Sequence, residues 1–149
     1  MVATSDLAKI DLFEGISEDK LSGVAAKFQE QEIKAGEQLF CEGCEADEFY
    51  ILLEGNINLS MKLTSRPETL VLGVINKFGQ SFGWSVVVSA KHYTATAEAK
   101  EDSKILTIKA VDMLDFLDQD CETGYAISRR MTEIVSSRLR YYRVLLKTF

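Results

Sequence analysis

Between Phe78 and Ala97 the chain reads Phe-Gly-Gln-Ser-Phe-Gly-Trp-Ser-Val-Val-Val-Ser-Ala-Lys-His-Tyr-Thr-Ala-Thr-Ala. Gly79 and Gly83 open this stretch, the apolar segment Val86 to Val88 follows, and the alternation of Tyr93, Ala95 and Ala97 closes it as a strand. A tight loop with one helical turn between two sheet elements is expected, and such a loop can offer backbone N–H groups to an anion. Ser85 and Thr94 add hydroxyls. The other grouping with chemical potential is Cys41-Glu-Gly-Cys44. A lone C-x-x-C with no second pair or nearby histidine reads as a turn flanked by thiols rather than a zinc or redox centre. His92 is the only histidine, so a multi-histidine metal site is excluded. No Ser-His-Asp order, phosphate-binding Gly-Lys loop or paired-carboxylate motif is present, and the protein is not expected to be an enzyme.

These residues need a scaffold, and 149 residues suffice for one domain with a real core. A single Pro and nine Gly leave no evident linker. The net charge of −6 argues against direct DNA binding, which rests on neutralising phosphates with Lys and Arg. Three cysteines are too few for a disulfide framework. The N-terminus lacks the basic and apolar regions of a secretory signal, and no apolar run approaches membrane-spanning length, so a cytoplasmic protein with no membrane segment is expected.

Ser17 is a candidate helix N-cap, and Leu21, Val24, Ala25 and Phe28 recur at helical spacing. Leu7, Ile10, Leu12 and Phe13 suggest a shorter helical piece upstream. From Gln29 to Lys109 the pattern changes to short strands. Ile57, Leu59, Met61 and Leu63 alternate with polar residues, which predicts one buried and one wet face. Phe49 to Leu53, Leu70 to Leu72 and Ile105 to Ile108 are dense apolar runs that predict more fully buried strands, and Thr64 to Thr69 is a polar hairpin loop. Strands at this spacing indicate a sandwich or barrel. Beyond Lys109 the chain turns helical: Met113, Leu114, Phe116 and Leu117 fit a short helix. The stretch from Thr123 to Leu146 predicts a long one of about 36 Å. The division expected is therefore 1–28 for N-terminal helices, 29–109 for a β-roll and 110–149 for C-terminal helices, in one domain over 1–149.

Lys34-Ala-Gly-Glu-Gln-Leu-Phe, Glu42-Gly-Cys-Glu-Ala-Asp-Glu-Phe-Tyr-Ile-Leu-Leu-Glu-Gly55 and the Phe78-Gly to Phe82-Gly83 segment occur in order and at a spacing that resembles the cyclic nucleotide-binding domain. The likeness is to the sensor half of catabolite-activator-type transcription factors and covers residues 10 to 147. It implies a mainly β fold with flanking helices, a double-stranded β-helix or jelly roll with a long C-terminal helix. It also implies a ligand held between the strands, the cassette and that helix: cyclic AMP or cyclic GMP in the family's nucleotide binders. No helix-turn-helix follows before Phe149, so the sequence reads as a stand-alone ligand-sensing, regulatory module for signalling.

In the family's pattern a Glu in the cassette holds the ribose and an Arg holds the cyclic phosphate. Here those places read Trp84 and Tyr93, so altered or lost cyclic nucleotide binding is expected. The candidate ligand-binding residues are Phe82, Gly83, Trp84, Ser85, Val86, Tyr93, Thr94, Ala95 and Tyr142. Trp84 either fills the pocket or forms an aromatic wall for a flatter, less charged ligand. Candidates for a substitute cation are Lys91, His92, Arg138 and Arg143, and Lys91 and His92 fit a solvated loop better. Tyr141 and Tyr142 fit either helix packing or contact with a base. Two functions compete: small-molecule sensing, and protein interaction through the C-terminal helix with a vestigial pocket. The wide apolar face of that helix predicts a homodimer, with Met131, Ile134, Leu139 and Tyr142 as its exposed stripe.

Overall fold

A computed structural model describes residues 2–88 and 90–148. Among these residues eight strands form two four-stranded antiparallel sheets, the frame of a jelly roll: β1 (Gln29–Ile33), β8 (Ser103–Lys109), β3 (Glu48–Glu54) and β6 (Ser81–Phe82) in one, and β2 (Gln38–Phe40), β7 (Thr96–Ala99), β4 (Ile57–Lys62) and β5 (Thr69–Ile75) in the other. The dense apolar runs of β3 and β8 pair with each other, and Phe49, Ile51, Leu52, Ile105, Leu106 and Ile108 are buried. Helices α1 (Thr4–Ala8), α2 (Glu18–Ala25) and α3 (Ala110–Gln119) close one end of the same core through Leu7, Leu21, Val24 and Met113. Phe13 stands edge-on to both Phe28 and Phe116, joining the N-terminal and C-terminal helices.

Several expectations are corrected. Ser17 stands at the N-cap position of α2 in extended backbone, but its side chain makes no capping hydrogen bond. Leu70 and Val71 are exposed rather than buried, because β5 lies at the end of its sheet and pairs only with β4. On β4, Ile57 is buried while Leu59 and Met61 are half-buried, so the predicted contrast between its faces is weak. The strand read from Tyr93 starts only at Thr96, since the backbone of Tyr93 bonds instead to the turn between Cys41 and Cys44. Those two cysteines are joined as a disulfide rather than standing as free thiols, and Cys121 is free and exposed. Among the described residues no helix is long and apolar enough to cross a membrane.

The long helix α4 spans Cys121–Leu146 and its start is pinned. Asp120, its N-cap, accepts from the Thr123 amide at 3.2 Å and from the Thr123 hydroxyl at 2.6 Å. The same carboxylate lies 2.6 Å from Lys20 Nζ on α2. The hydrogen bond from Lys20, then that from Thr123, holds the Asp120 carboxyl at about 2, below the usual carboxylate range. A carboxyl depressed in the folded state stabilises above its unfolded value, and that contribution is lost as pH falls through the folded one. The midpoint advantage of the native chain over Asp120→Asn should therefore be full above about pH 5 and vanish by about pH 1. Thermal melts across that range check it; parallel curves would remove Asp120 as the pin.

Candidate functional site

The cassette is built by its glycines and by β3. The Gly79 amide donates to Leu52 O at 2.8 Å and the Leu52 amide donates to Gln80 O at 2.9 Å, which leads the chain into β6 beside β3. Gln80 Oε1 accepts from the amides of Asn76 and Lys77 at 2.9 and 2.8 Å and fixes the approach. Gly83 then adopts a φ of 75°, and a Cβ there would stand 2.8 Å from Tyr50 Cδ2 and 3.2 Å from Glu48 O. Only glycine suits both the left-handed backbone and the close approach. A single 3-10 turn, Trp84–Val87, follows.

Seven of the nine expected residues, Phe82, Gly83, Trp84, Ser85, Tyr93, Thr94 and Ala95, line one cavity of about 150 Å³. Val86 does not line it; the 3-10 turn directs its side chain into the core, where it is buried. Tyr142 lies instead on a second cavity of about 420 Å³, between β5 and α4, and its hydroxyl donates to Leu72 O. Both cavities share Leu59 and Arg138. No linear signal marks Phe40 and Leu59, which reach the pocket from β2 and β4.

Tyr93 is committed to the scaffold. Its ring is 3% exposed and stacks on Phe40 at 3.9 Å and 17°. Its hydroxyl donates to Glu48 O at 2.6 Å and accepts from the Glu48 amide at 3.0 Å. Tyr50 stacks on Phe82 at 5.2 Å, and Phe40 joins the two pairs, its ring 5.4 Å from Tyr50 and 6.3 Å from Phe82. Burial pushes the phenols of Tyr50 and Tyr93 up, so both stay neutral donors. Trp84 is likewise engaged: its indole N–H donates to Ser81 Oγ at 3.0 Å.

The charge comes from elsewhere. Arg138, on α4, donates through Nη2 to Ser81 O at 3.2 Å, and its guanidinium lies 5.3 Å from the Trp84 ring centroid. Such stacking suits a guanidinium and holds it in place. Burial lowers the Arg138 pKa, an effect partly offset by Tyr142, yet an arginine stays charged. Among the described residues it has no ion-pair partner and is the only cation lining either cavity. The other cations considered from the sequence, Lys91, His92 and Arg143, are exposed and line neither cavity.

A β-roll with a glycine-led cassette on its flank and a long helix across the pocket defines a class of regulatory domains. A family model for the cyclic nucleotide-binding domain matches residues 30–120, and the chain belongs to that family. A cyclic nucleotide-binding domain from Methylobacillus flagellatus superposes with a TM-score of 0.79 at 19% identity, over 99% of this chain and 83% of that one. The sensor domain of the transcriptional regulator DNR from Pseudomonas aeruginosa gives 0.76 at 21% identity, over 92% of this chain and 91% of the other. At these identities the likeness is one of fold. The cGMP-dependent protein kinase egl-4 of Caenorhabditis elegans is 23% identical over 136 residues, 87% of this chain and 17% of the kinase. The chain spans a third or less of the curated relatives it matches, 32% of one and 17% of another.

Proposed function

We propose that the protein is a ligand-sensing regulatory module whose pocket has exchanged the family's grip on a cyclic nucleotide for a grip on a smaller anion. One observation carries the reading: the pocket's positive charge is Arg138 on α4, while Trp84 and Tyr93, which the family resemblance assigns to the two cassette positions, are hydrogen-bonded within the protein. The cassette cavity of about 150 Å³ falls below the roughly 300–1,000 Å³ typical of small-molecule sites, while Arg138 also lines the cavity of about 420 Å³ beside it, so the guanidinium is reachable from both. A guanidinium offers a forked, charge-assisted grip to a carboxylate or phosphate. Because the cation belongs to α4, an anion that draws Arg138 from Ser81 and Trp84 acts directly on the helix, and occupancy is passed to whatever α4 touches.

A thermal-shift screen of small carboxylates and phosphates tests the reading. Saturation at about a hundredfold over the dissociation constant stabilises by about 2.7 kcal/mol, worth roughly 5–10 °C at this size. The shift should be absent in Arg138→Ala. Equal shifts in both proteins would remove Arg138 from the role. A second reading, protein interaction through α4 with a vestigial pocket, is favoured by the exposure of Val135, Leu139 and Leu146, and a screen with no responding anion would leave it in place.

A further inference from the structure

The turn formed by Cys41, Glu42, Gly43 and Cys44 takes no part in the anion reading, yet it is bound to the cassette at every step. The Gly43 amide donates to Tyr93 O, the Tyr93 amide donates to Cys44 O, and the Ala46 amide donates to Lys91 O, each at 2.9 Å. Glu45 and His92 form an isolated bridge between the same segments. Immediately before the turn stands Phe40, whose ring stacks on Tyr93. The far limb of the cassette, Lys91 to Tyr93, is thus held to the roll by the loop that the two cysteines close.

We propose that Cys41 and Cys44 are a reversible thiol–disulfide exchange site, with dithiol reductants and small disulfides as its reactants, and that its oxidation state sets how firmly Lys91 to Tyr93 are held. The two Cα atoms lie 5.3 Å apart, within the span a disulfide bridges without backbone movement. Both residues are half-buried, so a small reductant reaches the sulfurs. A thiolate of the dithiol attacks one sulfur, breaks the S–S bond and expels the other as a thiolate. Its second thiol resolves the mixed disulfide, leaving an oxidised reductant and two cysteine thiols; two electrons and two protons are transferred. What then closes the turn is one backbone bond, from the Cys44 amide to Cys41 O at 3.0 Å. Glu42, Gly43 and Glu45 are exposed, and beyond the core contacts of Cys44 and Ala46 the turn is tied to the roll by two exposed hydrogen bonds of Glu42, from its amide to Thr96 Oγ1 at 2.9 Å and from the Lys62 amide to its Oε1 at 3.2 Å. Reduction therefore loosens the loop, and with it the bonds to Lys91 and Tyr93, while the apolar pairing of β3 and β8 is untouched.

The test uses the whole chain, and its outcome does not depend on what occupies the pocket. Intact mass after alkylation should show one modified cysteine, Cys121, in the air-oxidised protein and three after dithiothreitol. Hydrogen exchange over 41–46 and 90–96 should then quicken by about tenfold or more, with β3 and β8 unchanged, and oxidised glutathione should restore the slow exchange. Cys44→Ser should exchange like the reduced protein with or without reductant, and Cys121→Ser should behave as the native chain. Three modified cysteines without reductant would overturn the proposal. So would equal exchange in the two states, or an equal acceleration through β3 and β8, which would make the bond a staple of the entire roll.

Discussion

Leu139→Glu is expected to part the homodimer that we propose forms through α4. The stripe anticipated from the sequence is not the one that the structure leaves open: Met131 is 7% exposed and belongs to the core, and Ile134 is half-buried. The exposed row is Val135, Leu139 and Leu146, with half-buried Tyr142 completing a 4,3,4 spacing. That spacing is a coiled-coil seam, and a two-fold pairing of two such helices closes without a free end. A symmetric interface meets each substitution twice, and a carboxylate is costly to bury in an apolar seam. The dissociation constant should therefore rise by about a hundredfold or more, roughly 2.7 kcal/mol. Sedimentation at micromolar concentration should give twice 16.7 kDa for the native chain and a single mass for Leu139→Glu. A native monomer would sink the proposal.

Gly124→Ala should cost about 3 kcal/mol and displace α4. In an open helix the change would stabilise by up to about 1 kcal/mol through helix propensity. Here an added Cβ would stand 2.3 Å from Leu117 O and 3.3 Å from its carbonyl carbon, at the corner where α3 meets α4. Backbone cannot rotate aside as a side chain does, so the clash outweighs propensity and the helices must part. Near this chain length the midpoint should fall by roughly 6–12 °C. The Trp84 emission should change as well, because Arg138 travels with α4. A stable variant with unaltered emission would show that the corner yields without moving the helix.

The legible parts of the fold were those in which local pattern and burial agree. Phe49 to Leu52 and Ile105 to Ile108 are apolar without interruption and lie mid-sheet, so density alone identified them. Leu70 to Leu72 looks the same as a string, and only sheet order shows that β5 is an edge. On α4 the apolar positions were evident, but which of them the roll covers depends on the crossing set at Gly124. In the candidate site, Phe82 to Ser85 and Tyr93 to Ala95 were found because they are contiguous in two short segments. Phe40 and Leu59 arrive from strands distant in sequence. Arg138 was one candidate among four cations, and only the position of Ser81 and Trp84 singles it out. The Cys41–Cys44 bond was missed because three cysteines and one short motif are compatible with free thiols.

The exchange of grip is tested most directly by calorimetry of the native chain with cyclic AMP and cyclic GMP. If Trp84 and Tyr93 stand at the two anchoring positions, as we propose, the missing carboxylate and guanidinium should cost about 2–5 kcal/mol each. Both nucleotides should bind with a dissociation constant well above ~1 μM, or give no heat of binding. A constant near or below about 1 μM for either nucleotide, worth roughly 8 kcal/mol, would contradict the account, because Arg138 and its neighbours would then supply the nucleotide grip that we propose the cassette has lost.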